Sequence, residues 1–407
     1  MTAPGTAPST ASTTADVVIV GGGIEGAATA WALARRGITD VVVCERATVG
    51  SGGTGKSSGV VRCHYGVSSL AAMAWKGLHL FENAEDILGE DIGFRRTGYV
   101  VGVGERNVGA LHANLRAQRA LGIETGEISR DEVAGLWPAA ELGDFAAFGW
   151  EPRGGYGDAH RTAQAFAAAA RRDGVRIRQG TEVTALLTDP AGVCGVRLAS
   201  GEEIASRSVV VAAGPWSVGL LAPLGVALPV SVHREQIVLI SPGPGADVGK
   251  VPVFSDLVSL QYIRAESGGE LLFGNSDLST LETADPDRYA NHADPGFLET
   301  AVEKIAHRLP GLPDAAVSST YAGCYDVTPD FNPVIGPTGV DGLLVAAGFS
   351  GHGFKISPAV GDLVADLLLD GHSNDPAVHA TDFRLTRFAE GSPLTSPHPY
   401  AGAGEMR

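Results

Sequence analysis

The sequence predicts an α/β (α+β) protein in which a nucleotide-binding type of sheet is interrupted by a second, mixed-sheet domain inserted discontinuously. The first sign is the apolar run Val17-Val18-Ile19-Val20, which ends at three glycines. A helical pattern from Ala27 to Arg36 follows, then a second apolar run, Val41-Val42-Val43, completing a βαβ unit. The second sign is a pair of later apolar runs that end in small residues. Val209-Val210-Val211 leads into Ala212-Ala213-Gly214, and Leu343-Leu344-Val345 into Ala346-Ala347-Gly348, as if the chain returned twice to one sheet. The third is a change of texture between those returns. Residues 91–152 mix helical patterns with a strand at Tyr99-Val100-Val101, and 227–322 alternate turns with strands such as Gln236 to Ile240 and Leu271-Leu272-Phe273.

Composition narrows the class. The 407 residues are 44% hydrophobic and 19% charged, which is ordinary for a folded chain with a sizeable core. Lys and Arg number 30 against 46 Asp and Glu, a formal charge of −16, so the overall field repels nucleic acid and anionic lipid. A small anionic ligand then needs local cations. Cys44, Cys63, Cys194 and Cys324 lie far apart without a CxxC pair, which suits a cytoplasmic location and indicates neither a disulfide framework nor a metal site. Residues 1–15 lack a basic region and an apolar block, and read as a disordered tail rather than a secretory signal. Ser208 to Val232 is uncharged and long enough to span a bilayer, but Gly214, Pro215, Pro223, Gly225 and Pro229 divide it into strand, turn and short helix. From Gly391 onward Pro, Ser, Gly and Ala dominate, and a loose C-terminal tail is expected.

Gly21-Gly22-Gly23-Ile24-Glu25-Gly26 fits GxGxxG between a strand and a helix. In a Rossmann-like unit Gly21 permits the tight turn, Gly23 lets backbone approach a pyrophosphate, and Gly26 lets helix pack on strand. Glu45 ends the second strand, where a carboxylate accepts hydrogen bonds from an adenosine ribose and disfavours a 2′-phosphate. The fingerprint alone does not separate NAD from FAD.

Two glycine-rich loops do separate them. Gly53-Thr54-Gly55-Lys56-Ser57-Ser58-Gly59-Val60-Val61-Arg62 is small and hydroxylated, suited to a long dinucleotide. Gly348-Phe349-Ser350-Gly351-His352-Gly353-Phe354-Lys355 precedes a helix expected to start with Ser357 as N-cap and Pro358 at its first position. With these, the sequence resembles the D-amino-acid oxidase superfamily, in its glycine oxidase, sarcosine oxidase and amino-acid dehydrogenase branch. The resemblance rests on Val18 to Gly26 with Glu45-Arg46, Gly155 to His160, Ala212 to Trp216, Thr328-Pro329-Asp330-Phe331-Asn332-Pro333-Val334-Ile335-Gly336, and Gly348 to Lys355, and covers roughly residues 15–385.

The resemblance implies a Rossmann-like FAD-binding domain over 16–90, 153–226 and 323–385, a substrate-binding domain over 91–152 and 227–322, and a tail over 386–407. It implies FAD contacts from Gly21, Gly23, Ile24, Glu25 and Gly26, from Glu45 and Arg46, and from Thr54, Ser57 and Ser58. Val183 is implied at the adenine end, with Ala213, Gly214 and Trp216 nearby. Gly348, Gly351, His352, Gly353, Phe354 and Lys355 would follow the flavin.

For the substrate, the resemblance implies an Arg and Lys clamp on a carboxylate, matching Arg62 and Lys355; a structural salt bridge and a solvated lysine are the alternatives. Tyr325 matches a pocket tyrosine, or is a core tyrosine. Tyr262 and Arg264 lie on a strand expected to face the flavin, and His352 lies in the flavin loop, while His64 and Tyr65 beside Arg62 are weaker candidates. Two departures stand out. The cysteine that attaches FAD in monomeric sarcosine oxidases is replaced by Gly323, with Cys324 displaced by one, so FAD is expected to be non-covalent. The lysine that assists reaction with O₂ is replaced by Leu272, which leaves O₂ or another acceptor open.

The expected activity is therefore oxidation of a small carboxylated amine, primary or N-substituted, by hydride transfer to flavin N5, followed by imine hydrolysis. An amino-acid dehydrogenase and a flavin subunit of a multi-subunit sarcosine-oxidase-like complex are alternatives. An aromatic hydroxylase is another, although its Gly-Asp-Ala signature is missing. A homo-oligomer is compatible with the sequence; nucleic-acid and membrane partners are not expected.

Overall fold

The computed structural model describes residues 13–402. The first sheet arises from short, fully buried β-branched runs, which suit a parallel sheet covered on both faces. Val17–Val20 is central. It pairs in parallel with Val41–Cys44 on one side and Val209–Val211 on the other. Leu343–Ala347 adds beyond Val209–Val211 in parallel, Arg176–Arg178 extends the other edge, and Val334–Pro337 closes the sheet antiparallel. The two returns read in the sequence thus lie side by side in one sheet. Helix Ile24–Arg35, whose buried residues include Ala27, Ala28, Ala30, Ala32 and Ala34, packs between Gly353–Leu369 and Ala159–Arg172. A Cβ on Gly361 would stand 2.6 Å from the Ala28 carbonyl, so the two helix backbones touch.

A larger mixed sheet takes strands from both intervening segments. Its order is Glu282–Thr283, Ser231–Ser241, Leu271–Asn275, Gln261–Ala265, Val253–Asp256, Tyr99–Val103, Ala147–Glu151 and Gly126–Ile128. The join between segments is the parallel pairing of Val253–Asp256 with Tyr99–Val103. The strand Ala316–Val327 pairs along the whole of Ser231–Ser241 and runs through the expected 322/323 boundary into the segment that returns to the first sheet. A small two-stranded antiparallel sheet, Val60–Val61 with Gly155–Tyr156, carries the chain toward Arg62. No helix among the described residues is long and apolar enough to cross a membrane. The uncharged stretch at 208–232 contains the strand Val209–Val211, a tight turn at Gly214–Trp216 and the short helix Ser217–Leu221.

Three expectations need correction. Residues 1–12 lie outside the described residues, but the end of the expected N-terminal tail is ordered. Thr13–Thr14 pairs with Glu203–Ala205 and Ala15 is buried, because a sheet edge there offers free carbonyl and N–H groups. The C-terminal segment is tied down through Ala401 despite its loop-like composition. Leu394 N–H donates to Asp330 at 2.8 Å, Asn114 donates to the His398 carbonyl at 3.0 Å, and Ala401 N–H donates to Asn107 at 2.8 Å. Local composition does not register such long-range partners. The last helix starts at Gly353, with His352 rather than Ser357 as N-cap, and passes through Pro358. Pro358 cannot donate to the Phe354 carbonyl, and the Ser357 hydroxyl donates to that oxygen instead at 2.9 Å.

The anchor of the C-terminal segment is a buried ion pair. Arg387 is 1% exposed and donates to both oxygens of Asp330, at 2.8 and 2.9 Å, and to the Asn332 carbonyl. Arg387→Ala leaves Asp330 charged and buried, so stability should fall by about 3–5 kcal/mol, read from chemical denaturation. An unchanged midpoint would show that the anchor contributes nothing.

Candidate active site

A cavity of about 810 Å³ runs from the fingerprint turn to the larger sheet, a size typical of a ligand site. Its first wall is the glycine turn. Gly21 has φ +107°, and a Cβ there would lie 2.4 Å from the Ala212 carbonyl oxygen; a Cβ on Gly26 would lie 2.0 Å from the Gly21 oxygen. Both positions require glycine for backbone contact. Gly23 differs, because a Cβ would meet only Thr54 Oγ1 at 3.4 Å, so its missing side chain leaves room in the cavity rather than relieving a clash. Thr54 Oγ1 accepts from Ile24 N–H at 3.0 Å, while Glu45 accepts from Gly22 N–H at 2.7 Å and Ala47 N–H at 2.8 Å. At the far end Arg46 stacks on Trp216 at 4.0 Å, and both bind Asp287 from the larger domain.

Most of the expected cofactor residues line this cavity: Gly21, Gly23, Ile24, Glu25, Glu45, Arg46, Thr54, Ser57, Ser58, Val183, Ala213, Gly214, Trp216, Gly351, Gly353 and Phe354. Gly26 supports the turn from behind. Gly348 packs on Thr328 and donates its N–H to Asp326 at 2.7 Å. His352 and Lys355 are buried in the wall without lining the cavity. Glu25 is the unusual member. Among the described residues neither of its carboxyl oxygens has a hydrogen-bond partner, and burial, with Asp326 nearby, pushes its pKa well above the usual range. Burial also raises Asp326 to about 6. A glycine cradle with an orphaned carboxyl at the cavity wall fits a dinucleotide rich in hydroxyl and N–H donors, as FAD is.

The second wall is the face of the larger sheet that carries Glu235, Ile237, Tyr262 and Tyr325. Gly274 opposite Tyr262 makes room for its ring, since a Cβ there would lie 2.1 Å from it. Tyr325 packs on Gly351 and hydrogen-bonds Tyr262. Arg264, two residues on, is engaged elsewhere: it donates to the Ser58 carbonyl at 2.5 Å and to Glu266 at 2.8 Å, and stacks on Tyr156. Cys324 pairs opposite Arg234, on the face that Tyr325 does not share, and burial raises its thiol to about 11.

Behind this wall lie the two expected clamp residues. Arg62 is 7% exposed, donates to the His64 carbonyl and stacks on Tyr65 at 4.4 Å. Lys355 is 6% exposed, and among the described residues only the Gly351 carbonyl, at 3.4 Å, accepts a hydrogen bond from it. Burial, then the field of Arg62, hold its pKa well below the usual lysine range, so the two cations share one desolvated region. His352 joins Tyr65 at 3.1 Å, and His64 joins Tyr400 of the C-terminal segment at 2.7 Å. Glu151 accepts from Cys63 N–H at 2.8 Å, and burial raises it to about 7.

Sequence reasoning missed Glu235, Asp326, Glu151, Asp287 and Tyr400. Only Asp326 carried a local signal, its place between Tyr325 and Thr328; the others depend on register and on docking of distant segments. The room at Gly23 gives a direct check. Gly23→Ala should fold normally, having no clash to relieve, yet retain FAD at least about tenfold less tightly, read from the visible absorbance after desalting. Full retention would remove the fingerprint from the binding site.

Comparison with known proteins agrees with this geometry. The sequence matches the family of FAD dependent oxidoreductases (DAO) over residues 16–367. It is 31% identical to sarcosine oxidase subunit beta of Arthrobacter sp. over 394 residues, covering 92% of this chain and 91% of that one. It is 28% identical to mitochondrial dimethylglycine dehydrogenase of Mus musculus, covering 88% of this chain but 42% of the longer relative. The crystal structure of L-proline dehydrogenase from P. horikoshii superposes with a TM-score of 0.85 at 27% identity, covering 94% of this chain and 100% of that chain. The chain belongs to the DAO family of FAD-dependent oxidoreductases.

Proposed function

We propose that the protein is an FAD-dependent amino-acid oxidoreductase of the glycine oxidase and sarcosine oxidase type, acting on a secondary amine such as an N-substituted glycine. FAD, when bound, supplies the hydride acceptor. The residues of the chain bind and orient the substrate. The observation that carries the reading is the pair Arg62 and Lys355, two buried cations that form no ion pair among the described residues. A buried cation lacking an anion is costly, and a substrate carboxylate supplies one. The names of the relatives support the same substrate class, since they act on sarcosine, dimethylglycine and proline. Four unpaired cysteines and the charge of −16 support a cytoplasmic protein that binds neither membrane nor nucleic acid. Gly323, at the position of the cysteine that attaches FAD in monomeric sarcosine oxidases, supports non-covalent FAD.

A second reading differs in the electron acceptor and the assembly. Two of these relatives are named dehydrogenases and one is named a subunit. Leu272, 1% exposed, occupies the position that the resemblance gives to an O₂-assisting lysine. This reading makes the chain a dehydrogenase or the flavin subunit of a larger complex.

Four outcomes are expected. Anaerobic mixing with a panel of primary and secondary amino acids should bleach the flavin with at least one of them; peroxide on re-aeration identifies an oxidase and its absence a dehydrogenase. Acid precipitation should release all flavin to the supernatant, and a yellow pellet would refute non-covalent binding. Arg62→Ala and Lys355→Ala should each raise KM about 10- to 100-fold while keeping FAD. Deprotonation of Lys355 removes a cation, so the wild-type KM should rise with pH, and Lys355→Ala should flatten that rise. An unchanged KM in both variants would remove the clamp.

A further inference from the structure

We propose that Glu235 receives the substrate's ammonium end and takes its proton before the adjacent C–H bond is broken; this rests on the amino-acid reading above. Glu235 lies mid-strand in Ser231–Ser241 and lines the cavity together with Ile237, Tyr262 and Tyr325. Its partner across the strand pair is Gly323, which has no side chain to cover it. The carboxyl therefore faces the cavity from the substrate-side sheet, while the dinucleotide fingerprint lines the opposite wall. Tyr262 and Tyr325 both feel its charge, which places it beside them.

Every other ionisable group packed around Glu235 is engaged or uncharged. On its own strand His233 hydrogen-bonds Ser231 at 2.8 Å, and Arg234 points to the opposite face, where it pairs with Asp294. From the strand Gln261–Ala265, Tyr262 is un-ionised, its pKa raised by burial, and Arg264 is held by Ser58 and Glu266. From Ala316–Val327, Tyr321 and Tyr325 are un-ionised for the same reason, and Cys324 lies on the Arg234 face. The Lys56 ammonium, from the turn against Gly323, donates to Asn291 at 3.0 Å. No described side chain donates a hydrogen bond to Glu235, and burial alone raises it to about 8.

The chemistry requires such a group. An amino acid enters as a zwitterion, and hydride cannot leave the carbon beside an ammonium, because the nitrogen lone pair must be free to form the imine. The ammonium ion-pairs with Glu235 in its ionised form. The N–H bond then breaks and an O–H bond forms, turning ammonium into amine and carboxylate into carboxylic acid with no change of oxidation state. Burial raises the acid and lowers the ammonium, bringing the two toward a match. With Arg62 and Lys355 serving the carboxylate, the site complements both ends of the zwitterion.

The test uses FAD-loaded wild type and Glu235→Gln. Anaerobic flavin reduction by the best amino acid of the panel is followed across the neutral to alkaline range, and binding of (methylthio)acetate, a carboxylate with no amine, is read from the flavin spectrum. The variant should bind (methylthio)acetate as wild type does, reduce about 100-fold more slowly at neutral pH, and recover as alkaline pH supplies free amine. A wild-type rate and pH profile in the variant would overturn the proposal, and so would loss of (methylthio)acetate binding, which marks a structural role. Bleaching of wild type shows that the amino-acid reading stands even where Glu235 fails. Without bleaching by any amino acid, both fall.

Discussion

Desolvation of charge around a single cavity is the constraint on which the site depends. Arg62, Lys355, Glu25 and Glu151 are held away from bulk water, Glu235 and Asp326 are partly buried along the cavity, and few of the six are neutralised by a neighbour. In water such groups would be screened and chemically ordinary. In a low-dielectric wall, each creates a demand for a complementary ligand group. An anionic and cationic substrate, together with a cofactor rich in donors, answers those demands.

The fold makes that desolvation affordable by closing two sheets on one space. The parallel sheet brings the fingerprint turn and the returns near Ala213 and Gly348 to one edge, and the mixed sheet supplies a flat wall of Glu235, Ile237 and Tyr262. Strand Ala316–Val327 belongs to the wall yet leads into the first sheet, so the two halves are coupled by one continuous backbone. Asp287, gripping Arg46 and Trp216, is a second tie at the far end of the cavity. The C-terminal segment adds a third, since Tyr400 meets His64, whose carbonyl accepts from Arg62. Arg62 is thus positioned by a residue more than three hundred positions away in the chain.

Much of the cofactor side was legible because its requirements are local. GxGxxG, Glu45 and the loop from Thr54 to Ser58 act through backbone conformation and short spacing, and most of their residues line the cavity. The substrate side was legible only where resemblance supplied the roles. Arg62 and Lys355 were named that way, and their shared buried region follows from a long-range strand pair and a helix start that no periodicity predicts. The helix start itself was misplaced because Ser357 looks like a cap but in fact serves the carbonyl that Pro358 leaves free.

The sequence by itself determined the βαβ unit, the dinucleotide turn and the order in which strands return to the parallel sheet, since these depend on apolar runs and on glycines required by backbone contact. Only the tertiary structure decided which charges face the cavity. Strand register set Glu235 beside Gly323 and put Cys324 on the face opposite Tyr325, and long-range docking ordered Thr13–Ala15 and the C-terminal segment through Ala401, whose composition suggested no order. Register and docking depend on partners distant in sequence, so neither is written in any local pattern of residues.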